Sequence, residues 1–169
     1  MTERQCPLCA GDATLVRPLP AHGRKEIRGI DCDRCGTYYL TEQAKMELGD
    51  PGRSRDRVMV SWVTRERSEQ ESPITLCSSS YKPSGEPDGV RIDEVLNTMA
   101  PHSIPERIDR ALLNLARRSR HPGDPVVVDA GKDWPLLFTE NREALDFTLR
   151  HMVRSGLLDE FSSNDQGGG

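Results

Sequence analysis

Two Cys-x-x-Cys pairs lie near the start of the sequence, Cys6 with Cys9 and Cys32 with Cys35, and 22 residues separate them. Thiolate sulfur is a preferred ligand of borderline and soft metals, and two such pairs predict one tetrahedral site with four sulfur ligands. Four thiolates leave no coordination position open for water, which a catalytic zinc would need. We therefore expect one structural zinc ion per chain.

Other uses of the same four cysteines remain open at this point. Iron in a rubredoxin-like site takes the same ligands, and paired thiols also serve in redox sites or disulfides. Disulfide-dense small domains belong to secreted proteins, whereas residues 1–5 lack the apolar stretch of a secretory signal. These features favour a cytoplasmic protein with a metal site. The fifth cysteine, Cys77, lies apart from both pairs in a Ser-rich stretch.

Short strands are predicted between the two pairs, at residues 13–16 and 26–31, and Tyr38, Tyr39 and Leu40 are expected to extend the segment beyond the second pair and to give it apolar cover. Gly11 and Gly36 follow the pairs closely, where a tight turn around a metal needs unusual backbone angles. Residues 1–40 thus resemble a zinc ribbon with two rubredoxin-like knuckles. So short a segment cannot bury enough apolar surface alone, so the resemblance implies folding that depends on the metal.

The composition limits the possible function classes. The chain has 169 residues, of which 35% are hydrophobic and 30% charged, and its net charge is −4. No apolar run approaches the ~18 residues of a membrane span, so we expect no membrane segment. The negative net charge argues against a protein that coats nucleic acid.

The middle of the chain is predicted to contain short helices followed by a segment rich in Ser, Pro and Gly. Residues 41–48 predict a short helix capped by Thr41, and residues 58–63 fit either a strand or, slightly better, a helix. Residues 72–90 are rich in Ser, Pro and Gly and predict a linker or long loop. The predicted domains are a zinc ribbon at 1–40, connecting helices at 41–71, the linker at 72–90 and a second domain at 91–169.

The second domain is predicted to be mostly helical. Helices are expected at 92–99, from Pro105 onward, and after a cap at Thr139 or Asn141, with Gly156 ending the last one. A strand is expected at Val126–Val128, and extended segments at 133–138 and 157–161.

This order resembles a winged-helix domain over about residues 100–165. The second wing strand is not reached by Gly169, so we expect either an incomplete wing or a piece of a longer protein. The whole layout also resembles N-terminal modules of some prokaryotic antiviral-defence proteins. The predicted fold class is α+β: a small zinc ribbon of β-hairpins plus a winged-helix-like domain.

Basic residues of the second domain are the candidates for nucleic-acid contact. They are Arg110, Arg117, Arg118, Arg120, Arg150 and Arg154. Glu140, Glu143 and Asp146 lie at the start of the last helix, where they would repel phosphates. No catalytic arrangement of residues is visible, so we expect no enzyme.

The favoured hypothesis is a non-catalytic zinc-binding interaction or regulatory module that recognises another protein or another domain of a larger effector. The alternative hypothesis is a DNA-binding winged-helix transcription regulator, although tight binding of DNA by this chain alone is not expected.

Overall fold

The computed structural model describes residues 5–16, 27–80, 89–121 and 123–160. The fold is α+β, with five strands and five helices among these residues. The strands are β1 Ala13–Val16, β2 Ile27–Cys32, β3 Gly36–Thr41, β4 Thr75–Cys77 and β5 Gly89–Arg91. The helices are α1 Glu42–Leu48, α2 Ser54–Glu69, α3 Ile92–Glu94, α4 Ile104–Arg118 and α5 Arg142–Arg154. A π-helical turn, Val95–Met99, continues α3, and the 3₁₀ turns Pro51–Arg53 and Trp134–Leu137 precede α2 and α5.

All five strands belong to one sheet in the order β1-β2-β3-β4-β5. The first three pair antiparallel, as predicted for the segments around the cysteines, whereas β3, β4 and β5 pair parallel. The prediction of a linker at 72–90 is therefore corrected, because both ends of that range form strands of this sheet. Strands β4 and β5 have only three residues each. So short a run shows no recognisable alternation of apolar and polar residues within a segment rich in Ser, Pro and Gly. The middle of the range, 81–88, lies outside the described residues.

Helix α2 lies between the sheet and the C-terminal helices. Val60 and Val63 belong to a core cluster with residues of the sheet, including Tyr38. Trp62 instead belongs to a second cluster with residues of α4 and α5. The helix predicted over residues 58–63 is thus confirmed, and its ambiguous pattern arises because apolar side chains point to two sides. A helix buried on both sides has no simple apolar stripe.

Local signals set the ends of the helices as expected. The Thr41 side chain accepts a hydrogen bond from the Ala44 amide at 3.2 Å and caps α1. Asn141 caps α5 by accepting from the Ala144 amide at 2.9 Å. Gly156 has φ +69° after α5, and the Leu157 amide donates to the Met152 carbonyl at 2.9 Å. The predicted glycine C-cap is therefore confirmed.

Three predictions for the second domain are corrected. Val126–Val128 forms no strand: Val126 and Val128 pack against the second cluster while Val127 is 86% exposed. The second cluster covers Val126 and Val128 while Val127 faces solvent. The segment therefore alternates in burial although it pairs with no strand among the described residues. The predicted extended segment 133–138 contains the 3₁₀ turn Trp134–Leu137, with all four residues buried. Residues 157–159 form bends, and the end of the predicted segment, Phe161, lies outside the described residues.

Among the described residues, no helix is long and apolar enough to cross a membrane.

Candidate metal centre

The four predicted cysteines meet at one point. Their sulfur atoms all lie within 4.8 Å of one another. The Cys6 and Cys35 sulfurs are 3.7 Å apart, and those of Cys9 and Cys32 are 3.6 Å apart. A tetrahedral zinc with Zn–S bonds of about 2.3 Å would place its ligands about 3.8 Å apart. The cluster thus has the donor atoms and the size to hold one metal ion.

Each pair lies in a tight turn, or knuckle, that folds back on itself. In the first knuckle, the Ala10 amide donates to the Cys6 carbonyl at 2.9 Å and the Cys6 amide donates to the Gly11 carbonyl at 2.8 Å. Ala10, directly after the second cysteine, has φ +56°. In the second knuckle, Gly36 takes the equivalent position with φ +72°. Both turns therefore need a left-handed residue after the pair, a conformation that suits glycine and strains alanine.

The sulfur atoms lie at the edge of the first core cluster. Cys6 and Cys35 have no exposed surface and Cys32 is buried, while Cys9 is half-buried. Hydrogen bonding among the sulfurs, most strongly with Cys32, lowers the pKa of Cys6, whereas the same kind of contact with Cys32 raises the pKa of Cys35. The four thiols thus share their protons unequally, and a metal ion bound by all four would have to displace the protons that remain.

Tyr38 of β3 contacts the cluster from the protein interior. Its side chain is fully buried, and its hydroxyl oxygen lies 3.2 Å from the Cys6 sulfur. Burial, together with the charge of Cys6, raises the pKa of Tyr38 well above its usual range. Sequence analysis treated Tyr38 only as apolar cover. The strand alternation of Gly36, Tyr38 and Leu40 could have indicated that it shares a sheet face with the second knuckle.

The second knuckle is attached to the C-terminal half of the chain. Arg65 of α2 donates from Nη1 to the Asp33 carbonyl at 2.8 Å. Arg34 donates from Nε to the Gly131 carbonyl at 3.1 Å, and the Lys132 ammonium lies 2.8 Å from the Asp33 carboxylate. Asp33 and Arg34 stand between the two cysteines, so the loop before the Trp134–Leu137 turn packs directly on the knuckle.

Behind this loop lies a network of charged side chains. Asp133 receives hydrogen bonds from Arg118 at 2.8 and 3.0 Å and from Arg65 at 3.0 Å, and both arginines also pair with Glu69. Burial raises the pKa of Asp133, but the hydrogen bonds from Arg118 and the Asp129 amide, together with the charges of Arg118 and Arg65, outweigh this and hold the pKa below its ordinary value. The same carboxylates raise the pKa of Arg118. The network joins α2, α4 and the loop, and sequence analysis did not predict it, because the charges are far apart in the chain.

The arginines proposed for nucleic-acid contact are used in different ways. Arg118 belongs to this network, and Arg110 pairs with the buried Glu66 while its guanidinium carbon lies 4.9 Å from the centre of the Phe138 ring. Arg150 pairs with Asp146 one turn away at 2.7 Å. Arg117 donates to the Asn114 side chain at 2.9 Å. Arg120 and Arg154 are exposed. The structure therefore does not gather the six guanidinium groups on one open surface.

No protein-family model matches the chain, and comparisons with curated proteins and with solved structures give no match.

Proposed function

We propose that this chain is a non-catalytic zinc-binding module that recognises another protein or another domain of a larger effector. The observation that carries the proposal is the cluster of four cysteine sulfurs within 4.8 Å of one another. Cys6, Cys9, Cys32 and Cys35 would hold one zinc ion and fill all its coordination positions. Such an ion cross-links the first knuckle to the sheet and supplies folding free energy rather than a reactive water.

Zinc is the ion that we propose for this donor set, and iron is the alternative. Sulfur ligands in a tetrahedron are typical of zinc and of iron in rubredoxin-like sites. A cytoplasmic protein would keep the four thiols reduced and available. The test is the metal content of the purified chain: we expect about one zinc per chain and its loss in Cys32→Ser. Iron or no metal in the wild-type chain would overturn the assignment, whereas full zinc in Cys32→Ser would exclude these four ligands.

Recognition of a partner is supported by apolar surface on the C-terminal half. A groove of about 450 Å³ lies beside the end of α4, with Leu112, Val126 and Leu157 among its lining residues and Arg120 at its edge. Leu157 is 45% exposed. Exposed apolar surface that is bordered by charge is typical of protein contact sites.

The partner proposal can be tested by cross-linking the tagged chain in its own cells. We expect one protein to be recovered with the wild-type chain and lost with Leu157→Glu. Met46→Glu, at a position on α1 that is 70% exposed, is the matched control and should keep the partner. Equal recovery with both variants, or no specific partner, would count against recognition through this groove.

The alternative function is DNA binding, as the winged-helix resemblance implies. The exposed side chains of Arg117, Arg120 and Arg154 are the observation that favours it. Against it stand the carboxylates paired with Arg110, Arg118 and Arg150. We therefore rank protein recognition above DNA binding.

A further inference from the structure

The fully buried hydroxyl of Tyr38 needs a hydrogen-bond partner. An unsatisfied hydroxyl in the protein interior costs free energy, so buried hydroxyls are almost always paired. Among the described residues, the partner of this hydroxyl is the Cys6 sulfur, which lies 3.2 Å away. Tyr38 pairs with Ile30 across the sheet, and both residues belong to the first core cluster. Packing therefore fixes the ring, and the hydroxyl is held at the sulfur.

Metal binding decides which atom donates this hydrogen bond. A protonated Cys6 could donate its S–H to the tyrosine oxygen. A metal-bound cysteine is a thiolate without a proton, so it can only accept. The tyrosine hydroxyl must then donate, which gives a charge-assisted hydrogen bond.

The charge of the site makes such a donor useful. Four thiolates and one divalent cation carry a net charge of −2, and Cys6 and Cys35 have no exposed surface. Buried negative charge is costly unless hydrogen-bond donors surround it. On the outer side, Arg34 lies near Cys9: a Cβ at Gly11 would be 3.2 Å from Arg34 Nη1 and 3.3 Å from the Cys9 sulfur. Toward the protein interior, the hydroxyl of Tyr38 is the hydrogen-bond donor beside the Cys6 sulfur.

We propose that Tyr38 is a positioning residue of the metal centre, whose hydroxyl donates to the Cys6 thiolate and thereby strengthens metal retention. The inference rests on the proposed zinc site and adds a residue that is not itself a ligand. Hydrogen bonds from such outer partners orient metal ligands, and their loss commonly weakens metal affinity by about 10–100-fold.

The test compares the full-length wild-type chain with Tyr38→Phe and Tyr39→Phe. Tyr38→Phe keeps the ring and removes only the hydroxyl. Tyr39→Phe makes the same change at the next residue, which is 5% exposed and points to the other face of the sheet. Zinc affinity is measured by competition with a chromophoric chelator, and circular dichroism reports the fold of each variant.

We expect Tyr38→Phe to bind zinc about 10-fold more weakly than the wild-type chain. Tyr39→Phe should stay within about 2-fold, since a change outside the ligand surroundings lacks this effect. Equal zinc affinity of Tyr38→Phe and wild type would overturn the inference while leaving the zinc site intact. Unchanged zinc binding by Cys32→Ser would instead overturn the proposed site itself, so the two failures are distinguishable.

A second measurement uses the zinc-loaded wild-type chain and does not depend on the folding of a variant. Its proton spectrum should show a slowly exchanging Tyr38 hydroxyl with a cross-peak to the Cys6 β-protons. A hydroxyl proton that exchanges freely with water, or that contacts other residues only, would overturn the inference.

Discussion

Arg65 and Asp33 connect the cysteine cluster to the helical half of the protein. The guanidinium of Arg65 donates to the Asp33 carbonyl at 2.8 Å, and Asp33 lies between two of the cysteines. The same side chain pairs with Asp133 at 3.0 Å and is only 14% exposed. One residue of α2 therefore holds both the second knuckle and the loop that packs on it.

Replacing Arg65 with Met should destabilise the chain by about 2 kcal/mol. The change removes a hydrogen bond to the knuckle and a charged partner of Asp133, and hydrogen bonds of charged groups contribute about 1.5–3 kcal/mol. Urea unfolding of the zinc-loaded protein measures it. Arg55→Met is the control, because Arg55 is exposed on the same helix and should change stability by less than about 0.5 kcal/mol. Equal effects of the two variants would show that the Arg65 contacts contribute little.

Asp133→Asn should reveal a pH-dependent contribution to stability. The folded pKa of Asp133 lies below its ordinary value of 3.8, so the ionised form stabilises the fold above that value. This stability is lost as the pH falls through the folded pKa. Arg65, Arg118, Glu69 and Lys132 are the charged groups that face this carboxylate, and the two arginines dominate.

The measurement for Asp133 is urea unfolding of both proteins at several pH values. The wild-type chain should be more stable than Asp133→Asn at neutral pH, and the gap should begin to close near pH 3.8 and shrink further below it. A gap that does not change with pH would contradict the prediction.

Exchanging Gly and Ala should have opposite effects on stability at Ala10 and Gly36, the two residues that follow the cysteine pairs. Ala10→Gly removes the strain of a left-handed alanine, about 1–2 kcal/mol, but adds chain entropy, so we expect a gain of up to about 1 kcal/mol. Gly36→Ala should destabilise the chain strongly, because a Cβ there would lie 2.4 Å from the Ser68 Cβ. Thermal unfolding with zinc bound would test both, and a loss for Ala10→Gly would show that the φ of +56° is not strained.

Removal of the metal should affect residues beyond the ribbon. Because Arg34 and Asp33 contact Gly131 and Lys132, chelation should raise hydrogen exchange in residues 129–133 as well as in β2 and β3. Helix α5, whose buried residues Leu145, Leu149 and Met152 belong to the second core cluster, serves as the internal reference. Exchange confined to the cysteine segments would show that the knuckle is not coupled to the loop.

Duplex DNA should bind only weakly. Four of the candidate arginines, Arg117, Arg120, Arg150 and Arg154, are exposed, and Arg150 is paired with Asp146, so the slope of log affinity against log salt should be shallower than about −3. We expect a dissociation constant above about 1 μM at physiological salt, measured by fluorescence anisotropy. Tighter, sequence-selective binding would favour the regulator hypothesis over protein recognition.

Local signals in the sequence account for the cysteine cluster and for several helix ends. Two Cys-x-x-Cys pairs specify their chemistry locally, and Thr41, Asn141 and Gly156 act within one helical turn of themselves. Such signals can be read without knowing what packs against them.

Tertiary structure alone decided how the parts join. Strands β4 and β5 consist of three residues each and form because β3 offers an edge to β4, and β4 in turn offers an edge to β5. The segment around Val126 and Val128 has the sequence pattern of a strand, but these side chains pack against the second core cluster and not beside another strand. The contacts of Arg65 and Tyr38 depend on residues 32 positions away along the chain, a distance at which no local pattern carries information.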